Sequence, residues 1–276
     1  ASDRIGYYYP NVSFKLRSIK LGFALKTIIN RETKQIVWSV QPEWVRFYAY
    51  LYFWLMVGIG AWLTFGHSHA DFEHNPIMNR FGYNNICILF DSYPSTYVLP
   101  SIWSIGLILL ASYVLTSWIR VYQQYAFDQI SRRNFMLFSA SSLFEVLCFV
   151  VFTTVFSVGP DESMFAHLAP FTFLIVALST LSAKNFTYYH SEANLGPIES
   201  KLSIAYLVVH LIASAAKILM QVNVLSGDAL YNTLDYVPIH QLTDRIWMLT
   251  AAVLPVYFAL KFRNRVPALE FVTNIK

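Results

Sequence analysis

Six polar side chains share one helical face within the apolar stretch near residues 202–222. They are separated by three, four and seven residues, the spacings that bring side chains together along an α-helix. The six residues of this polar stripe are Ser203, Tyr206, His210, Ser214, Lys217 and Gln221. Ionisable groups are expensive to bury in an apolar segment and usually serve function there. The stripe therefore suggests a proton or ion path, or a polar pocket for a lipid headgroup.

A second ionisable side chain, Glu145, lies within another apolar stretch, about 15 Å deep at the rise of an α-helix. His210 lies at a similar depth, so the two are predicted to pair, and Lys217 is expected to face the same contact. An alternative interpretation is that Glu145, His210 and Lys217 bond to one another and only hold the helices together. Lys217 could also extend outward to the headgroups.

A histidine-rich loop follows the first apolar stretch. His67, His69 and His74, with Asp71 and Glu73 between them, offer ligands for zinc or copper. Their spacing matches no metalloenzyme motif, so a solvated, metal-free loop is predicted.

The chain also contains no P-loop, dinucleotide fingerprint or nucleophile elbow. No cofactor and no enzymatic activity are therefore predicted, and bound phospholipids are expected.

The composition of the chain indicates a membrane protein. Of its 276 residues, 56% are hydrophobic and 13% are charged, and the mean hydropathy is +0.44. Soluble domains carry about 25% charged residues, and a soluble core of this size could not use so much apolar surface. The net charge of +4 does not indicate nucleic-acid binding, because the basic residues lie at the borders of the apolar stretches.

Six apolar stretches are long enough to cross a bilayer, which takes about 20 helical residues. The predicted fold is thus an all-α membrane bundle of six helices. Pro170 and Pro255 fall inside two of them and are expected to cause kinks. The predicted spans are Trp44–Phe65, Val98–Ile119, Phe135–Val158, Met164–Ala183, Leu202–Val222 and Ile246–Phe262.

The distribution of basic residues predicts the orientation of the bundle. Seventeen of the 20 Lys and Arg residues fall on the side that holds both termini, and only Arg80 and Arg245 fall on the other. The positive-inside rule places the basic side in the cytoplasm or the mitochondrial matrix. The predicted domains are an inner tail at 1–43, a membrane domain at 44–262 and an inner tail at 263–276.

The N-terminal tail contains a predicted β-hairpin. Residues rich in β-formers flank a polar turn at Asn30–Lys34 within Leu25–Trp38. The preceding segment, Phe14–Leu25, mixes basic and apolar residues and could instead lie in the inner headgroup layer.

Three features of the chain resemble the six-helix FRAG/DRAM/Sfk family of autophagy modulators and Golgi factors that remodel GPI lipids. One is the acid within the third span, in Ser142-Leu-Phe-Glu145. Another is the acidic turn before a histidine, from Asp161 to His167. The third is the polar connection from Gly227 to Asp244. The resemblance implies a lipid-handling role and points to Glu145 and His167.

Three functions are compatible with these features. The favoured one is a non-catalytic accessory or scaffold subunit of a larger membrane complex, preferably in the mitochondrial inner membrane. The second is a lipid-binding or GPI-lipid-remodelling protein of the Golgi or endoplasmic reticulum. The third is a proton or solute transporter that uses Glu145, His210 and Lys217, against which stands the absence of inverted repeats. The expected partners are membrane lipids and other proteins of the complex, not nucleic acid.

Overall fold

A computed structural model describes residues 17–21, 25–30, 35–68, 70–192, 195–266 and 268–274. They form two compact units, one from the described residues within 42–267 and one from those within 1–41 and 268–276. The described part of the larger unit contains six helical segments long and apolar enough to cross a membrane, which confirms the predicted bundle. Spans one to six are Pro42–His67, Ser95–Ala126, Arg132–Phe156, Met164–His190, Pro197–Leu225 and Thr233–Phe262.

The surface of the bundle shows that lipid is its solvent. Large apolar side chains point outward on every side, and Trp62, Phe65, Ile108, Leu143 and Ile212 are each more than 60% exposed. A water-soluble protein rarely exposes continuous apolar surface on this scale. The chain is therefore a multi-pass integral membrane protein.

The described residues of this unit form nine α-helices. Four of them, α1, α4, α6 and α7, form spans one, two, four and five, and α5 continues into a 3₁₀ turn to complete span three. Two short helices, α2 and α3, lie between spans one and two, while α8 and α9 together make most of span six. The bounds are α1 Pro42–His67, α2 Pro76–Phe81, α3 Ile88–Asp91, α4 Ser95–Ala126, α5 Arg132–Phe152, α6 Met164–Glu192, α7 Pro197–Leu225, α8 Val237–Met248 and α9 Leu254–Phe262.

Span six begins earlier than predicted and is not a uniform helix. The prediction started it at Ile246, but helical structure begins at Thr233. The early part carries Asp244 among other polar residues, which hides it from a search for apolar stretches. A π-helical segment, Leu249–Val253, joins α8 to α9. Pro255 is the second residue of α9, and the wider π-turn before it accommodates a proline that cannot donate a backbone hydrogen bond.

The short helix α2 fixes the polypeptide between spans one and two. The Asn75 side chain accepts a hydrogen bond from the backbone N–H of Met78 at its start. Gly82 ends the helix at a φ of 72°, a conformation that favours glycine. A Cβ atom at Gly82 would also lie 2.5 Å from Val237 Cγ2, so this turn packs closely against the start of α8.

The smaller unit is an antiparallel sheet in the order β1-β2-β3-β4. Strands β2 and β3 confirm the predicted hairpin, whose turn residues 31–34 lie outside the described residues. Within Phe14–Leu25, the described residues 17–21 form β1. Strand β4 comes from the C-terminal tail and pairs with β3 from Gln35↔Asn274 to Val40↔Leu269. The strands are β1 Arg17–Leu21, β2 Leu25–Asn30, β3 Gln35–Val40 and β4 Leu269–Asn274.

The pairing of β3 with β4 bears on topology. Strand β3 precedes span one and β4 follows span six, so both ends of the bundle leave the membrane on the same side. An even number of spans requires the same arrangement. Which compartment this side faces stays a prediction from the basic residues.

Cysteine labelling tests this orientation. A cysteine at Asn232, which is exposed before α8, should react with an impermeant maleimide from the outer side only. One at Asn264, exposed after α9, should react only after the membrane is opened. The native Cys87 and Cys148 are 4% and 3% exposed and should give little background. Equal labelling of both positions in sealed membranes would contradict the six-span arrangement.

Candidate functional site

The polar stripe lies on α7, and all six of its side chains are buried. The stripe therefore faces the interior of the bundle. His210 Nδ1 lies 3.0 Å from Thr250 Oγ1 of span six, and Gln221 Oε1 accepts a 2.7 Å hydrogen bond from Thr172 of span four. His210 Nε2 and Ser214 Oγ have no hydrogen-bond partner among the described residues. The stripe is thus divided between two neighbouring helices.

The predicted contact of Glu145 with His210 and Lys217 is wrong. Glu145 is fully buried, and its Oε2 lies 2.8 Å from Lys184 Nζ of span four. Ser142 accepts a second hydrogen bond from Lys184, also at 2.8 Å. Depth in the membrane gave the prediction, but depth does not determine which side of its helix a residue occupies. Spans three and four are joined by a short turn and pack together, so the partner comes from the nearest neighbour in sequence.

Lys217 pairs with Asp244 on α8 and does not extend outward to the headgroups. The Tyr83 hydroxyl donates a 2.6 Å hydrogen bond to the other oxygen of Asp244. The ammonium group also lies 5.2 and 5.3 Å from the ring centres of Phe171 and Trp247, within range of cation–π attraction. Asp244, predicted to lie in an outer loop, is instead a helical residue that ties span six to span five.

His167, the second position to which the family resemblance points, lies at the outer start of span four beside Asp91. Its Nε2 is 3.6 Å from Asp91 Oδ1, and its Nδ1 is 3.2 Å from the Val158 carbonyl oxygen. Burial and the negative charge of Asp161 raise the pKa of Asp91 to about 8. The 3.6 Å separation is too long for a direct hydrogen bond, and neither His167 Nε2 nor Asp91 Oδ2 has a hydrogen-bond partner among the described residues.

A buried cluster at the inner end was not predicted. Arg46, 1% exposed, lies 3.4 Å from Glu43 Oε2 and also donates to the Tyr189 hydroxyl. Tyr189 donates to Glu43 at 2.7 Å. Tyr113, which bonds to Asn185, packs its ring 5.9 Å from the guanidinium. Arg46 is one of the seventeen basic residues assigned to the inner side, and Glu43 three positions earlier was a usable signal for a pair.

The histidine-rich loop is placed in part. His74 is exposed and lies 3.5 Å from Asp71, while His67 packs edge-on against Trp62 at 4.6 Å. Two backbone N–H groups, of Glu73 and His74, donate to Asp71 and lower its pKa. His69 lies outside the described residues, and those described include no group of three side chains able to hold a metal ion. The metal-free loop stays a prediction.

An apolar chamber lies between spans one, two, three, four and six. The space between its walls is about 720 Å³, a figure that includes the solvent at its open mouth. Ile86 and Phe90, from the segment between spans one and two, also line it. No sequence motif predicted this chamber. Further lining residues are Ala49, Tyr50, Tyr52, Phe53, Met56, Ile102, Trp103, Gly106, Leu110, Phe152, Phe171, Leu174, Leu178, Trp247, Met248, Ala251 and Ala252.

Comparison with models of protein families, with curated proteins and with solved structures finds no match to this chain. The resemblance to the FRAG/DRAM/Sfk family therefore stays a prediction.

Proposed function

We propose that this membrane protein is a non-catalytic accessory subunit of a larger membrane assembly, and that a partner protein docks on the sheet of the smaller unit. The observation that carries the proposal is that β4 has exposed apolar side chains and an unpaired edge. Phe271 and Val272 are 38% and 58% exposed, and Trp38, paired with Phe271 across the strands, is 39% exposed. Within the described sheet, β4 pairs only with β3, so its other edge is open.

An open edge strand with apolar side chains is a hazard for an isolated protein, because it can pair with other chains. Natural proteins usually cover such an edge or protect it with charge. A partner that adds a strand to the edge would satisfy its backbone groups and cover Phe271 and Val272. The occupant we propose is therefore a protein segment in extended conformation with apolar side chains. The mitochondrial inner membrane, which houses many multi-subunit assemblies, is the proposed location.

The buried acids and bases support a structural role for the bundle. Acid–base pairs lie within it, among them Glu43 with Arg46, Glu145 with Lys184, and Asp244 with Lys217. The last two pairs join neighbouring helices, as expected of interhelical polar contacts. The transporter alternative needs Glu145, His210 and Lys217 to exchange protons or ions, but each has a different partner. We therefore favour the accessory role over transport.

Lipid handling is a second candidate function, because the walls of the apolar chamber are aliphatic and aromatic, as contact with an acyl chain requires. The pairing of His167 with Asp91 would be its polar site if a headgroup were modified.

The docking proposal predicts that Trp38→Ser with Phe271→Ser releases the chain from its assembly. We expect the wild-type chain, purified in mild detergent from its own membranes, to elute in a particle clearly heavier than a detergent-bound monomer. The double variant should elute mainly as the monomer. Size-exclusion chromatography with light scattering measures both masses.

Phe127→Ser is the matched control, because Phe127 is an aromatic residue of the bundle that is 75% exposed. This variant should remain in the large particle. Unchanged thermal midpoints would show that all variants are folded. A wild-type chain that purifies alone, or a double variant that stays in the particle, would contradict the docking proposal.

A further inference from the structure

An arginine lies on the lipid-facing surface of span six. Exposed side chains three or four positions apart form a stripe along the outward face of this span. Arg245 is the charged member of this outward stripe, and the others are Leu242, Leu249, Val253 and Tyr257. Within the described part of the chain, the Arg245 guanidinium makes no hydrogen bond, ion pair or cation–π contact.

Arg245 lies deep in the membrane, although the predicted start of span six left it in the outer loop. The span is 30 residues long, about 45 Å of helix, which covers a hydrocarbon core of about 30 Å and headgroup layers on both sides. Arg245 follows the outer start of the span by about 18 Å of helix, so it lies within the hydrocarbon core. Its neighbour Asp244 pairs with Lys217, which lies about 12 Å before the outer end of α7 and indicates a similar depth.

A charged side chain is unfavourable at this position. Arginines within membrane spans almost always face the bundle interior or a water-filled cavity, where acids or backbone carbonyls bond to them. Lys217 follows this rule, because it is buried and paired with Asp244. Arg245 instead lies among leucine and valine side chains that contact lipid, where a guanidinium without a counter-charge is strongly unfavourable. The position therefore calls for an acid from outside this chain.

Neither a phospholipid phosphate nor a second copy of this chain supplies that acid well. The phosphates lie in the headgroup layer, beyond the exposed Ile239 and Leu242, and basic side chains reach that layer from near the helix ends. Away from their ends, the described spans carry the acids Glu145 and Asp244, and each is already paired with a lysine. Two copies that met at this stripe would also bring two arginines together.

We propose that a transmembrane helix of another protein packs on the outward stripe and places an aspartate or glutamate against Arg245. A carboxylate and a guanidinium form a bidentate pair, and their attraction is strong where water is excluded. The leucine and valine side chains on both sides of Arg245 offer the helix van der Waals contacts. The inference rests on the proposed membership of a larger membrane assembly, but it concerns a contact separate from docking at the sheet.

Photo-crosslinking in the chain's own membranes tests the proposal. p-Benzoylphenylalanine in place of Leu249, one turn from Arg245, should form an adduct with one partner protein. Mass spectrometry should locate the adduct in an apolar segment of about 20 residues that contains an aspartate or glutamate.

Three variants test the role of the charge. Arg245→Leu should lower the yield of the adduct at least about tenfold, whereas Arg245→Lys should preserve most of it. Arg80→Leu is the matched control, because Arg80 is also exposed but lies outside the spans, and the yield should not change. In detergent, the thermal midpoint of the isolated Arg245→Leu chain should be no lower than that of the wild type, because a leucine suits the lipid-facing surface.

An adduct with lipid alone, with a second copy of this chain or with a segment that has no acid would overturn the proposal. So would an adduct whose yield is the same in Arg245→Leu. The wild-type adduct decides the matter even if that variant does not fold. If the purified particle is heavy and the probe at Leu249 labels only lipid, this inference is wrong and the accessory role stands. A wild-type chain that purifies alone would contradict both.

Discussion

Replacing Glu43 by leucine is expected to lower the free energy of unfolding by about 3–5 kcal/mol, because it leaves the buried Arg46 guanidinium without its acid. The substitution also removes the acceptor of the Tyr189 hydroxyl, and the lost hydrogen bond joins span four to span one. Removing Arg46 as well, as Glu43→Leu with Arg46→Met, should recover most of the loss, since an apolar pair of similar size needs no counter-charge. Unfolding by SDS in mixed micelles, followed by circular dichroism, measures these differences.

Glu73→Leu is the matched control for this experiment. Glu73 is exposed in the loop after span one, so its replacement should change stability by no more than about 0.5 kcal/mol. If Glu43→Leu were as mild as this control, Arg46 would be satisfied by the surrounding tyrosines alone. The inner cluster would then not depend on the ion pair.

The spans could be predicted from sequence because a bilayer imposes one strong requirement on the chain. Each crossing needs about 20 apolar residues with every backbone group bonded internally, and only helices meet this condition within one segment. Five predicted spans accordingly begin within five residues of the observed start, although spans two and four end seven residues later than predicted. The sixth failed at its start, since Asp244 and Arg245 interrupt the apolar pattern. Asp244 is tolerated there because Lys217 and Tyr83 satisfy it, which is a tertiary fact that a local sequence window cannot contain.

The partners of the buried polar groups could be predicted only in part. Helical periodicity correctly placed His210 and Gln221 on the inward face of α7, because the period depends only on the geometry of one helix. Which helix lies opposite is a property of the packed bundle. His210 meets Thr250 and Gln221 meets Thr172, two residues that looked unremarkable within apolar spans.

The apolar chamber and strand β4 could not be predicted, because the amino-acid sequence contains only weak signals for them. A cavity is the difference between the volume that surrounding side chains enclose and the volume that they fill, so no single residue encodes it. Strand β4 is a six-residue segment at the end of the chain, and its alternation of Leu269, Phe271 and Thr273 is too short to distinguish from a polar tail. Its identity as a strand depends on β3, more than 200 residues earlier in the chain.

Breaking the ion pair between Glu145 and Lys184 is expected to have the second large effect on the free energy of unfolding. Glu145→Leu should lower the free energy of unfolding by about 3 kcal/mol, because Lys184, only 12% exposed, keeps a buried charge without its acid. Adding Lys184→Met should recover most of this loss.

Double-mutant cycles distinguish this pairing from the one that depth alone suggested. Residues in contact are strongly non-additive, so the cycle of Glu145→Leu with Lys184→Met should give a coupling energy of about 2 kcal/mol or more. The cycle of Glu145→Leu with His210→Leu should be additive within about 0.5 kcal/mol, because the two side chains share no partner. If the coupling energy between Glu145 and His210 were as large as that between Glu145 and Lys184, the conclusion that Glu145 and His210 have separate partners would be wrong. That result would also support the transporter hypothesis, in which Glu145 of span three and His210 of span five share a polar contact that conducts protons.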